Sequence, residues 1–179
     1  MPDHVILISI AGPFSESLSE ERLAAVARRV LEAEEAPACE LSIAITDDET
    51  VRSLNREYAG EDAVTDVLSF SQREGEEFVM PPEGVPPLGE VVIAYPQALR
   101  QAQDRLTRQA IKRPSTSSGQ VGPTLRQAQG ERIWSVEREI EWLLVHGVLH
   151  LLGYDHAEPE EARRMRERED ALLGATGAA

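Results

Sequence analysis

His146-Gly-Val-Leu-His150-Leu-Leu-Gly153-Tyr-Asp155-His156 places three of the chain's four histidines within eleven residues. Residues four apart stand one turn apart on the same helix face, so His146 and His150 can aim their imidazoles at one point. Glycine readily takes the left-handed conformation that ends a helix and reverses the chain, and Gly153 is placed to carry His156 back beneath that pair. Three neutral imidazoles leave the charge of a zinc ion uncompensated and its fourth position open to water, whose pKa falls toward about 7. The spacing therefore predicts a catalytic rather than a structural site, with one Zn2+ ion on His146, His150 and His156. Asp155 either orients a ligand histidine or ends the helix, and the sequence admits both roles.

Outward from this window, Ser135 can cap a helix whose first turn carries Glu137 and Glu139. Ile140, Leu143, Leu144, Val148 and Leu151 then form a broad apolar face, which predicts a central, buried helix. A zinc peptidase of the HExxH type needs its general-base glutamate directly after the first histidine. That place is Gly147, so the HxxxHxxGxxH ligand pattern of the metzincins is present without the residue that makes it a peptidase.

Three blocks, Val145 to His156, Thr65-Asp-Val-Leu-Ser-Phe70 and Leu88-Gly-Glu-Val-Val-Ile-Ala94, together resemble the YbeY family of zinc-dependent endoribonucleases, the ribosomal RNA maturation factors of bacteria. The resemblance runs from the first strand to the last helix. It implies zinc ligation by His146, His150 and His156 and a substrate-facing region from Asp66 through Ser69 to Phe70. It also implies an RNA substrate, a ribosomal RNA precursor, with a ribosomal subunit or ribosome-associated protein as partner and no DNA or membrane. The chain departs from the family's pattern at Tyr58-Ala-Gly-Glu-Asp62, where relatives often read Tyr-Arg-Gly-Lys-Asp with an arginine linked to activity. Both cations are missing here. Leu88-Gly-Glu90 replaces a common Leu-Gly-Asp and keeps the carboxylate.

The rest of the chain reads as one α+β domain over residues 1–179, a small mixed sheet packed with helices and a zincin-like metal-binding helix near the C-terminus. Its 179 residues suffice for one core, and 41% hydrophobic with 28% charged residues is an ordinary balance. Val5 to Ile10 is too short to span a bilayer and reads as a first strand. The single cysteine, Cys39, cannot form an internal disulfide and agrees with a reducing cytoplasm; it fits a strand entrance better than a ligand role. Ser17 or Ser19 can cap a helix bearing Leu23, Val26, Ala27, Val30 and Leu31, and Leu41, Ile43 and Ile45 alternate as a strand. Thr46 with Glu49 makes a capping box for a helix with Val51, Leu54 and Tyr58. Val67 to Phe70 and Val91 to Ala94 suit central strands, Met80 to Pro87 a loop, and Pro159 the start of a last helix burying Ala162, Met165, Leu172 and Leu173.

Residues 104–129 break the pattern. Leu99-Arg-Gln-Ala-Gln103 recurs as Leu125-Arg-Gln-Ala-Gln129, and polar helix breakers lie between the copies. The stretch reads as a flexible insertion flanked by a direct repeat, tolerated because long surface loops add little closure entropy. Against that stands its basic character, Arg105, Arg108, Lys112, Arg113 and Arg126 against Asp104, which suits RNA phosphates.

A net charge of −14 works against general affinity for nucleic acid. An RNA enzyme with this balance needs a local basic strip, for which Arg52, Arg56 and Arg73 are candidates, or a protein partner that delivers the substrate. The expected activity is zinc-assisted phosphodiester cleavage, by a metal-activated water or by a ribose 2′-hydroxyl with the metal as Lewis acid. The alternatives are a zinc peptidase sharing the three ligands and a non-catalytic ribosome-assembly factor whose metal braces the fold.

Overall fold

Alternating apolar residues and helical repeats resolve into a four-stranded mixed sheet packed with helices in a computed structural model that describes residues 3–72, 84–111 and 134–175. In chain order the elements are β1 (Val5–Ile10), a 3-10 turn (Gly12–Ser17), α1 (Glu20–Ala33), β2 (Glu40–Thr46), α2 (Asp48–Tyr58), β3 (Val67–Ser71), β4 (Pro87–Ala94), α3 (Tyr95–Ile111), α4 (Val136–Leu151) and α5 (Pro159–Ala175). The strands lie in the order β1-β2-β4-β3. The first three run parallel, and β3 returns antiparallel along β4 as an edge strand. Right-handed crossover connections need a helix between parallel strands, and α1 and α2 stand in those places. The α+β architecture expected from the sequence is the one observed.

Strand alternation divides the core between the two faces of the sheet. Leu41, Ile43, Ile45, Val91 and Ile93 point to one face, where α1, α4 and α5 add Val30, Leu31, Leu144, Val148, Met165 and Leu172. Val92 and Ala94 point to the other and meet Val51 and Leu54 of α2, with Leu68 and Phe70 of β3 alongside. Helix α4 is central as its apolar face predicts, and it buries even Glu139 and Glu141. Among the described residues no helix is long and apolar enough to cross a membrane.

Caps form where short-range chemistry permits. The Arg22 backbone N–H donates to Ser19 Oγ, and that of Arg138 to Ser135 Oγ, each at 3.2 Å. The cap of α2 is Asp47, whose Oδ1 accepts from the Thr50 N–H at 2.8 Å, one residue later than the expected Thr46. Thr46 is held by β2, opposite Ala94 of β4. Strand β4 likewise begins earlier than Val91, at Pro87; a first strand residue can dispense with an amide proton. Cys39 is buried directly ahead of β2, with its sulfur 3.5 Å from His4 Nδ1.

The expected insertion enters the described residues only through 104–111, which continue α3. Arg105 lies with its guanidinium 4.8 Å from the Trp134 ring centre and 5.1 Å from that of Trp142, and its Nε is 2.9 Å from the buried Glu139 carboxylate. The Trp134 indole N–H also donates to Glu139. Residues 112–133 lie outside the described residues.

Gly89 sits where β4 bulges against β2, with a φ of 153° that side chains rarely adopt. A Cβ there would lie 2.3 Å from the Phe70 carbonyl oxygen and 2.9 Å from Leu151 Cδ2. Gly89→Ala should therefore lower stability by about 3 kcal/mol, measurable as a reduced urea midpoint with unchanged slope.

Candidate metal centre

The cluster begins with helix geometry. His146 and His150 project from the same face of α4, their ring centres 4.6 Å apart and their Nε2 atoms 3.1 Å apart. Helix α4 then ends on Gly153, whose φ of 97° is the left-handed turn expected of it. The Gly153 and Tyr154 backbone N–H groups close that turn by donating to the carbonyls of His150 and Leu149, each at 3.0 Å. The reversed chain brings the His156 ring to 4.9 Å from that of His150 and 5.8 Å from that of His146. One ring nitrogen from each histidine falls within a sphere where all three lie within 4.8 Å of one another.

The His146–His150 pair has the spacing a divalent ion needs. Tetrahedral Zn–N bonds of about 2.0–2.1 Å place ligand nitrogens about 3.3 Å apart, close to the separation of the two α4 nitrogens. The inner Nδ1 atoms already have acceptors, so the converging Nε2 lone pairs are free for an ion. His146 Nδ1 lies 2.6 Å from Glu169 Oε1, and His150 Nδ1 2.9 Å from the Tyr154 carbonyl oxygen. Burial holds the His150 imidazole below the usual histidine range, and the adjacent His146 and His156 add to this. The ring is then neutral near pH 7, as ligation requires. His156 differs in being 57% exposed, so the cluster opens to solvent on that side.

Asp155 serves the turn. Its Oδ1 accepts from the His156 backbone N–H at 2.6 Å but stands 3.9 Å from His156 Nδ1, beyond hydrogen-bond reach. That backbone contact holds the Asp155 carboxyl below the usual range.

The other sequence candidates are spread along β3 and α2. Ser69 Oγ donates to the Gly147 carbonyl at 3.1 Å, which seats α4 against β3 next to His146. Both Asp66 oxygens have partners: Oδ1 accepts from the Val67 N–H at 2.8 Å and Oδ2 from Gln101 Nε2 of α3 at 2.9 Å. Phe70 lies on the α2 side of the sheet, edge-on to Tyr58 at 5.1 Å. Arg52 is committed to Asp62 through two bonds of 2.7 and 2.9 Å, Arg56 is exposed on α2, and Arg73 lies outside the described residues.

Four contacts have no counterpart among the sequence motifs. Glu169 of α5 backs His146, and the Trp142 ring stacks on that histidine at 5.4 Å and 25°. The Tyr154 hydroxyl donates to Glu34 at 2.8 Å, and Glu34 also pairs with Arg168, so α1 and α5 together brace the turn that carries His156. Only Glu169 left a sequence signal, a carboxylate in the register of Met165, Leu172 and Leu173.

Gly147 bears on the chemistry more than any added group. A Cβ there would stand 2.7 Å from Val91 Cγ1 and 3.1 Å from Ser69 Oγ, so the position that holds a peptidase's glutamate is filled by the sheet. Gly147→Glu should confer no peptidase activity and should destabilise the fold by at least about 3 kcal/mol, read from denaturant melts beside a casein-cleavage assay.

Comparison with known proteins bears on the same residues. A family model described as Endoribonuclease YbeY matches residues 13–113 and 122–177. An endoribonuclease YbeY of Roseiflexus castenholzii is 41% identical over 154 residues, covering 86% of this chain and 80% of that protein. One from Chloroflexus aurantiacus is 39% identical over 170 residues, covering 93% and 90%. The solution structure of a Thermotoga maritima protein has the same fold, with a TM-score of 0.56 and 20% identity over 96% of this chain and 89% of that one.

Proposed function

The chain belongs to the YbeY endoribonuclease family, and on that premise we propose that it is a metal-dependent endoribonuclease of ribosomal RNA maturation with zinc on His146, His150 and His156. The convergence of the three imidazoles on one solvent-facing point carries the proposal. An ion held there supplies Lewis acidity toward a phosphoryl oxygen and a lowered pKa for water. The protein's own part is positional. Glu169 and the Tyr154 carbonyl fix two ring planes, Ser69 locks α4 to the edge strand β3, and exposed His156 leaves the approach open to a chain as bulky as RNA. The crowding of Gly147 by Val91 and Ser69 disfavours the peptidase alternative.

The substrate side follows from charge. With Arg52 neutralised by Asp62 and Ala59 where relatives often carry arginine, exposed Arg56 is the other cation that α2 offers. At a net charge of −14 the enzyme meets RNA in the cytoplasm with the help of a ribosomal subunit or a ribosome-associated protein. His150→Ala, checked for folding by circular dichroism, should cut a structured ribosomal RNA fragment at least about 100-fold more slowly than metal-loaded wild type. Equal rates from both proteins would reject a catalytic centre.

We also propose that the chain carries an insertion between α3 and α4. The family model passes over residues 114–121, inside the stretch between the two Leu-Arg-Gln-Ala-Gln copies. Deleting 114–121 should leave metal affinity and melting temperature within error of the full chain, by calorimetry with and without zinc; a loss of either would mark the segment as part of the working domain.

A further inference from the structure

Helix α5 docks on the core through Met165, Leu172 and Leu173, and its other faces carry charged, exposed residues. Glu169 falls in the docking stripe, spaced one turn from each apolar neighbour. Its side chain is 5% exposed. A carboxylate so placed bears a heavy desolvation cost unless something offsets it. What faces it is His146 Nδ1 at 2.6 Å.

The three histidines are backed unequally. His146 has a buried carboxylate, His150 a neutral backbone carbonyl at 2.9 Å, and His156, among the described residues, the Asp155 carboxylate only at 3.9 Å. The stacked Trp142 ring further fixes the plane of His146. A carboxylate accepting from Nδ1–H selects the tautomer with a bare Nε2, holds the ring in line, and makes that nitrogen a stronger donor to an ion. It also places one negative charge beside a divalent ion that three neutral imidazoles leave uncompensated.

We infer that Glu169 is the positioning residue of the metal centre, acting through His146, and that α5 is thereby a structural part of the ion-binding site. The inference rests on the proposal that the three histidines hold a divalent ion. In the resulting centre His146 is the anchoring ligand and His156 the weakest held, so tight binding depends on a helix that contributes no ligand of its own.

The test uses the full chain with cobalt as the probe. Affinity is measured by competition with a chelator, coordination by the visible absorption of the bound ion, and fold by melting of the metal-free protein. Glu169→Ala should bind cobalt about 10–100-fold more weakly with an altered visible spectrum. Glu169→Gln, which retains an acceptor oxygen without the charge, should keep the wild-type spectrum and fall between the two in affinity. Cobalt affinity in Glu169→Ala within threefold of wild type overturns the inference, as does a lowered metal-free melting temperature with affinity unchanged. If the alanine variant does not fold, the glutamine variant decides alone, and wild-type affinity in it overturns the inference. Wild-type protein that binds no cobalt overturns the metal centre itself, and this inference with it.

Discussion

The close contact between α4 and the sheet at Gly147 is the constraint on which the rest of the molecule depends. Val91 and Ser69 occupy the volume that any side chain at this position would need. The backbone of α4 can therefore lie directly on β3 and β4, and the adjacent His146 is held at a fixed height beside the edge strand. The same contact leaves little room for a carboxylate side chain next to the first histidine. A histidine spacing shared with peptidases is thereby left without a peptidase's base.

Around that contact the fold arranges support from every direction. The sheet presses from beneath, α5 supplies Glu169 behind His146, and α1 reaches the Gly153 turn through Glu34 and Tyr154. These contacts stiffen the inner side of the cluster and leave His156 exposed. Rigidity on one side and access on the other is what a site needs when its substrate is a polymer that cannot be enclosed.

Much of this was legible from local chemistry. The histidine spacing, the Gly153 reversal, the caps Ser19 and Ser135 and the start of α5 at Pro159 depend on neighbours within a few residues, and all appear in the structure. What escaped the sequence was decided at long range. Thr46 looks like a cap until β4 claims it, and Pro87 looks like loop until β2 pairs with it. Asp66 meets Gln101 of α3 across 35 residues, a contact that its neighbours in the chain do not announce. Glu169 and Glu34 reach their partners across 23 and 120 residues, and no short motif records such distances.

Arg105, sandwiched between Trp134 and Trp142 and paired with Glu139, ties the far part of α3 to the threshold of α4. The start of α4 is thus held by a clasp between residues 105, 134, 139 and 142. The end of α3 and the first turn of α4 are therefore fixed to each other by side chains as well as by the chain between them, ahead of the histidines that α4 carries.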